Sequence, residues 1–594
     1  MNVKPALKVG VMLDSMTQAQ WVYDTLADIQ RSNFARLALV IENADPDRPE
    51  HGFVRRLLKN RSRIAYALYT RLDDRLFRRQ PDAFTEVTVA PLLEGVPVVK
   101  VRPVKKRFSD YFEPSAVAEI RAHDLDVVLR FGFRILRGEA LALARHGVWS
   151  YHHGDNLVNR GGPPGFWEVM DGEPVTGSVL QVLGDELDNG RVIYRSHALT
   201  DRRSVRRNME NFYRKSATFV IRKLRDLAER GPAALDCDAH ARMFVPYSRR
   251  LYREPGNIEM LALGGRLAGR YAADKLRDAV FVDQWALACR MHPGSDGPDT
   301  AMHRFKLLQP PRDRFWADPF PVADRNRHLV FVEELPYATN KGHISVLELD
   351  RSGALQRVER VLETAHHLSY PFVFEWRGAH YMAPESGARR RVELYRATAF
   401  PGGWMLEDVL LDGVYAVDPT LVEIDGTWWM FVNVGVDGTL NYDELHVYHA
   451  PSPFGPWTPH RGNPVKSDVR CARPAGRLFR WNGDLYRPAQ DCSGLYGSAI
   501  VFNRVTRLTP SEFEETAVSR LEPRWAPHLL GTHTINAAPG ITVTDVLVRR
   551  PRFSLSRSPL RALERRGREA DAPAFERLAP TAEQPDGQRS SSFV

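Results

Sequence analysis

The sequence predicts a multidomain protein: an α/β domain with a mostly parallel sheet, followed by an all-β domain built as a five-bladed β-propeller. Three observations carry this. Short apolar strand runs alternate with helical stretches up to about residue 200. Beyond residue 280 the chain changes to strands that recur with a period near fifty. A chain of 594 residues also exceeds what one hydrophobic core organises. The resulting partition is 1–200 for the α/β domain, 201–281 for a helical connector, 282–548 for the propeller, and 549–594 for a disordered Arg-rich tail.

In the first part, Lys8–Leu13 reads as a buried strand and Gln18–Gln30 as the helix that follows it. Strands are predicted at Leu37–Ile41, Val98–Val101, Asp126–Leu129 and Gly147–Tyr151, with helices at Ala116–Ala122 and Gly138–Ala144. Alternation of this kind implies βαβ units, whose ligands sit at the carboxyl ends of the strands. His152 follows such a strand, and Asp188 lies on the Gly-flanked acidic loop Gly184-Asp185-Glu186-Leu187-Asp188-Asn189-Gly190. A histidine and a carboxylate so placed form a candidate acid–base pair.

Residues 53–79 interleave Leu57, Leu58, Ile64, Leu68, Leu72 and Leu76 with nine arginines and lysines, the pattern of a basic amphipathic helix. The favoured reading packs its apolar stripe on the domain. The other is peripheral contact with a membrane surface.

In the second part four segments begin alike: Asp318-Pro319, Tyr370-Pro371, Asp418-Pro419 and Arg473-Pro474, with the prolines 52, 48 and 55 residues apart. Each is followed by a turn and an aromatic-rich strand, and Arg377-Gly378, Asp425-Gly426 and Asn482-Gly483 supply the turns. Several strands per fifty-residue unit predict a propeller. A fifth unit around Gly531–Val546 would pair with Trp285–Met291 and close it.

The net charge of +9 is concentrated in 549–568, which holds eight arginines against Glu564. The rest of the chain is near neutral, so the charge gives no ground for a nucleic-acid partner; the tail itself is a second candidate for anionic membrane contact. Cys237, Cys289, Cys471 and Cys492 are scattered without a CxxC pair, which argues against a zinc site or disulfide scaffold. No metal is predicted. Without an N-terminal signal-like apolar run, the expectation is a cytoplasmic protein.

The first domain resembles the folate-dependent formyltransferases, a Rossmann-like family. The likeness rests on Thr176-Gly177-Ser178-Val179 leading to Asp185-Glu186-Leu187-Asp188-Asn189-Gly190, on Phe131-Gly132-Phe133-Arg134-Ile135-Leu136, and on His152. It implies His152, Asp188 and Ser150 as catalytic residues and 10-formyltetrahydrofolate as formyl donor. It also implies Phe131, Gly132, Phe133, Ile135, Leu136, Asp185 and Leu187 as cofactor-binding. Ser150 stands where that family has asparagine, whose amide would stabilise the oxyanion of a tetrahedral intermediate. Ser150 itself, or Asn156, would have to supply that donor.

The second domain resembles the N-terminal region of glucosamine inositolphosphorylceramide transferases and, more distantly, family-43 glycoside hydrolases. The motifs are Trp316-Ala317-Asp318-Pro319-Phe320, His367–Phe374, Tyr381–Ser386 and Leu485–Cys492. The resemblance implies a sugar-binding centre at Asp318, Glu385, Asp418 and Arg473. Arg473 stands where the hydrolases carry an acidic Glu. Trp316, Tyr370, Trp428 and Trp429 are candidate stacking surfaces. The joint expectation is formyl transfer to an amine on an amino sugar or glycolipid. The alternatives are a hydrolase acting through the propeller and a non-catalytic glycan-binding protein.

Overall fold

The computed structural model describes residues 5–45, 61–186, 188–236, 246–293, 297–324 and 327–552. Leu187, Cys237, residues 53–60 and the tail from 553 therefore lie outside the described residues.

The N-terminal module is a mixed α/β sheet. Its strands are β1 (Leu7–Leu13), β2 (Ala35–Asn43), β3 (Val98–Val101), β4 (Val127–Arg130), β5 (Val148–His152), β6 (Val175–Val182) and β7 (Arg191–Leu199). They lie in the order β7-β6-β5-β4-β1-β2-β3. The five strands β1–β5 run parallel, and β6 and β7 add an antiparallel edge. β1 is buried on both faces because helices cover both. Val9, Val11 and Leu13 enter one core, and Met12 enters the other. Gly10 shares the second face, where a Cβ would lie 2.7 Å from Leu125 Cδ1, so only glycine fits.

Helix α1 (Gln20–Arg31) buries Val22, Thr25, Leu26 and Ile29, spaced to form one stripe. Each fully buried aliphatic side chain contributes about 1.5–3 kcal/mol, so a charge at Leu26 would unseat the helix. Helices α2 (Ile64–Phe77), α3 (Pro114–Arg121) and α4 (Phe166–Asp171) follow. The stretch Gly138–Ala142, expected as α-helix, is a 3-10 turn.

The long helix α5 (Val205–Arg230) corrects the connector. Phe219, Val220, Leu224 and Leu227 pack in the same core as β1 and α1, so α5 belongs to the α/β module and covers its sheet. Its Ser204 N-cap accepts from Arg207 N. Helix α6 (Asn257–Val280) runs directly into the strand Phe281–Met291. Among the described residues no helix is long and apolar enough to cross a membrane.

The C-terminal module is all antiparallel sheet. Four sheets follow one another at 314–362, 369–412, 416–467 and 479–521. In a fifth sheet Phe281–Met291 pairs along its full length with Ile541–Pro551, so the two ends of the module share one sheet. The predicted pairing of the Trp285 strand with the final unit is thus present, and the arrangement is propeller-like. Each predicted two-residue turn has both residues at positive φ: Arg377 and Gly378, Asp425 and Gly426, Asn482 and Gly483. That conformation matches strand twist and selects Asn-Gly or Asp-Gly.

The two modules meet through α5. Lys215 pairs with Asp443, Arg222 grips Glu444 with two bonds of 2.7 and 2.9 Å, and Asn211 Oδ1 accepts from Leu440 N at 3.0 Å. Positions 211, 215 and 222 lie on one helical face, opposite Val220, Leu224 and Leu227, which pack on the sheet.

Candidate functional site

His152 ends β5, and Asp188 sits at φ 51° on the acidic loop, which turns its carboxyl back toward the strand end. Nδ1 of His152 is 3.4 Å from Asp188 Oδ1, and its Nε2 is 2.7 Å from the carbonyl of Asn159. Burial works against a charged ring, but Asp188 and the Asn159 carbonyl outweigh it and raise the His152 pKa above its usual value. Burial likewise pushes Asp188 upward, and the His152 ring more than offsets it, so Asp188 stays below the usual range. Both ring nitrogens are engaged, Nδ1 toward Asp188 and Nε2 with the Asn159 carbonyl.

Ser150 is not a free donor either. Its Oγ accepts from Arg130 Nε at 3.1 Å and bonds the Tyr151 carbonyl at 3.3 Å. Asn156 serves Arg195 through a 3.1 Å bond instead of approaching His152. Sequence reasoning missed Arg130, an arginine enclosed at the end of β4 beside Ser150, whose Nη1 also donates to the carbonyls of Phe133 and Arg134. It missed Glu168 too, which is 3 % exposed on α4 and pushed by burial to about 7.

The residues expected to hold folate do not form a cradle. Phe133 and Leu136 are 7 % and 2 % exposed and belong to the core, while Phe131 wedges against Trp21 with centroids 5.6 Å apart. A Cβ on Gly132 would lie 2.5 Å from Asp14 N, so this loop closes on the end of β1. The Phe133 amide is taken by Asp14 and the Arg134 amide by Asp110. Asp185 is exposed, with its carbonyl bonded by Arg137, and Ile135 pairs with Ser109 in a short strand contact. Phe133 and Leu136, with the Phe133 and Arg134 amides, are thus engaged within the fold, while Asp185 stays exposed.

The all-β module gathers the other predicted residues into one buried cluster. Asp318, Tyr370 and Asp418 occupy equivalent places on the first strands of three successive sheets, at φ 51°, 43° and 55°. Each precedes a proline, where extended backbone is the rule, and each coincides with a break in strand register. Left-handed backbone at a non-glycine residue costs on the order of 1–3 kcal/mol and collects at functional sites.

Asp318 Oδ1 accepts from Thr534 Oγ1 at 2.6 Å and lies 3.1 Å from His533 Nε2; its Oδ2 accepts from Tyr370 N at 3.3 Å. His533 Nδ1 is 3.1 Å from Asp545. Burial disfavours the His533 cation, but Asp545 and Asp318 outweigh it and lift its pKa to about 10. Burial also pushes Asp318 up, and His533 with Thr534 reverses this, so Asp318 lies below the usual carboxylate range. Ligand atoms of Asp318, His533 and Asp545 lie within 4.8 Å of one another, a set able to hold a metal ion. Here the His533 proton supplies the positive charge between the two carboxylates, and an ion would first have to displace it.

Asp418 accepts from Arg473 Nε at 2.5 Å and Nη2 at 3.2 Å, and from Gln490 at 2.8 Å. Glu385 is 3.4 Å from Arg473 Nη2. Burial, and then the charge of Asp418, raise Glu385 well above its usual value, and Arg473 offsets this only in part. The Glu385 side chain is 17 % exposed, against 5 % for Asp318, 8 % for Arg473 and 1 % for Asp418, so it is the carboxyl a ligand reaches.

The aromatics named from sequence are packing residues. Trp316, Tyr370, Trp428 and Trp429 are buried in hydrophobic clusters. The half-buried rings at the centre are others. Tyr442 and Tyr496 lie 5.5 and 5.0 Å from the Arg473 guanidinium, and Trp285 is 4.2 Å from His533. Tyr442 precedes Asp443 and Glu444, the two residues that α5 clamps. The only sequence signal for Tyr496 is its place in a Gly-flanked loop, Gly494-Leu495-Tyr496-Gly497.

Fold and site together define a two-module protein, an α/β sheet module clamped to a propeller-like all-β module with a buried carboxylate–arginine centre. Residues 309–524 match the family described as glucosamine inositolphosphorylceramide transferase 1, N-terminal. That match includes Asp318, Glu385, Asp418 and Arg473 but not His533 or Asp545. A protein named glucosamine inositolphosphorylceramide transferase 1 from Oryza sativa subsp. japonica is 40% identical over 209 residues, 34% of this chain and 28% of that protein. Its namesake from Arabidopsis thaliana is 36% identical over 211 residues, 34% of this chain and 27% of that one. The match thus spans little more than a quarter of these relatives' length. Among solved structures, glycinamide ribonucleotide transformylase 1 from Symbiobacterium toebii aligns at TM-score 0.26 and 15% identity, over 39% of this chain and 94% of that one. A family-43 enzyme from Xanthomonas citri complexed with xylose aligns at TM-score 0.30 and 13–14% identity, over 40% and 87%.

Proposed function

We propose that this chain is a glycan- or glycolipid-modifying enzyme of the transferase class, whose five-bladed propeller binds a sugar at the Asp318–Glu385–Asp418–Arg473 centre. The observation that carries this is a buried centre in which Arg473 reaches both Asp418 and Glu385, with the Glu385 pKa shifted upward and its carboxyl partly exposed while the Asp318 pKa is shifted downward. Two carboxyls whose surroundings push their pKa values apart make an acid and a base. In glycosyl transfer Glu385 gives its proton to the departing oxygen, and Asp318 takes one from the attacking hydroxyl. Burial, and then the charge of Asp418, itself locked by Arg473 and Gln490, raise the Glu385 pKa. Tyr442, Tyr496 and Trp285 offer the faces on which a pyranose stacks. The relatives' name supports an inositol-phosphate-linked glycolipid as acceptor or substrate.

The test is mass spectrometry of a glycan and glycolipid panel incubated with the full chain. Glu385→Gln should abolish product while sugar binding persists. Turnover that survives loss of both Asp318 and Glu385 would refute the reading.

A second reading, formyl transfer to a sugar amine by the α/β module, is favoured by the His152–Asp188 pair at 3.4 Å. The packing of Phe133, Leu136 and Gly132 argues against its folate donor. If 10-formyltetrahydrofolate yields no formylated product across an amino-sugar panel, or if His152→Ala leaves the yield unchanged, this reading fails.

A further inference from the structure

Helix α6 has 24 residues, yet only Met260 and Leu263 are buried. Ile258, Leu261, Leu276 and Val280 are 85 %, 70 %, 69 % and 42 % exposed. Spacings of three and four place these positions on one face, and the positions between them on that face are alanine or glycine. A Cβ added at Gly265 or Gly269 would meet nothing within 4 Å, so among the described residues this face is open.

Helix α2 packs beside α6 and repeats the feature. Ala65, Tyr66 and Tyr69 join Phe166 and Met260 in a small core, while Leu68, Leu72 and Leu76 remain 51 %, 57 % and 63 % exposed. The apolar stripe noted in the sequence is thus wider than the contact that covers it. Isolated exposed leucines need no explanation, but bulky apolar residues along two adjoining helices mark an interaction surface.

Charge identifies the partner. Residues 61–79 carry six arginines against Asp73 and Asp74, a net of +4, and α6 adds a net of +1. A second copy would bring the same positive rim against this one. An anionic bilayer complements it, because leucines enter the acyl boundary while arginines stay at headgroup level. We propose that the exposed apolar faces of the neighbouring helices α2 and α6 dock this protein on an anionic lipid surface. The inference stands apart from the sugar centre, since none of these residues belongs to it.

The test is co-sedimentation of the full chain with vesicles of phosphatidylcholine alone and of an equal mixture with phosphatidylserine. The expected result is binding to the mixed vesicles only, weakened by salt. Leu261→Glu with Leu276→Glu should lower that binding at least about tenfold without shifting the melting temperature. Leu68→Glu with Leu72→Glu, on the other helix, should act in the same direction. Glu385→Gln should bind vesicles as the parent does, so failure here and failure of the sugar centre are told apart. Three results would overturn the proposal: no binding to mixed vesicles, binding that the leucine variants leave intact and that therefore resides in the Arg-rich tail, or a dimer that the variants dissociate while vesicle binding is unchanged.

Discussion

Replacing Arg473 with methionine tests the centre at a buried ion pair. Arg473 donates to the Asp418 carboxylate at 2.5 and 3.2 Å, and Gln490 donates to it at 2.8 Å. Methionine fills much of the same volume, so the cavity term is small. What remains is a carboxylate 1 % exposed that has lost its counter-charge. Removing one partner of such a pair costs about 3–5 kcal/mol, because the other charge stays buried and unpaired. The cost should fall on the all-β module and appear as a lower urea midpoint in tryptophan fluorescence. Adding Asp418→Asn removes the orphaned charge and should restore at least half of the loss, so the two substitutions are strongly non-additive. If Arg473→Met alone costs less than about 1 kcal/mol, or if the double variant is no more stable than the single, Arg473 is not neutralising Asp418 and the reasoning fails.

Three further outcomes follow from the same geometry. Tyr370→Phe should destabilise by about 1–3 kcal/mol, since the buried hydroxyl accepts from Gly476 N and bonds Thr420 at 2.8 Å each; an unchanged melting temperature would show those groups satisfied otherwise. His533 is held above its unfolded value, so its contribution is fully present below about 6.5 and is lost as pH rises toward about 10. Stability of the all-β module should fall through that window in wild type and less steeply in His533→Gln, as read by melting temperature against pH. Lys215→Met leaves Asp443 buried without its cation and should cost about 3–5 kcal/mol. Combined with Arg222→Met it should release the 440–444 segment, seen as faster hydrogen exchange there and weaker sugar binding through Tyr442.

The legible parts of this molecule are those whose signals are local. The two-residue turns at Arg377-Gly378, Asp425-Gly426 and Asn482-Gly483 demand positive φ at both positions, and their residue types say so. The residue–proline pairs that begin each unit repeat at nearly constant spacing, and three of them mark a distorted strand start. β3 appears in the structure with the ends predicted for it, Val98 and Val101. Asp318, Asp418 and Arg473 stand at the starts of such repeats, the family resemblance adds Glu385 and implies a shared centre, and the fold joins Arg473 to both Asp418 and Glu385.

What the sequence by itself determined, then, is which segments become strands and helices, that one module is α/β and the other all-β, and which strand starts face one centre. Tertiary structure decided the chemistry of that centre. His533 and Asp545 come from the final sheet, more than two hundred residues from Asp318, and they set the charge state of Asp318. Structure also turned Trp316 and Tyr370 from stacking surfaces into core, paired Ser150 with Arg130, and moved α5 from connector to clamp. The reason is physical. Backbone preference and amphipathic period are properties of a few adjacent residues, whereas a pKa, a paired guanidinium or a covered helix face depends on groups that only folding brings within a few ångströms.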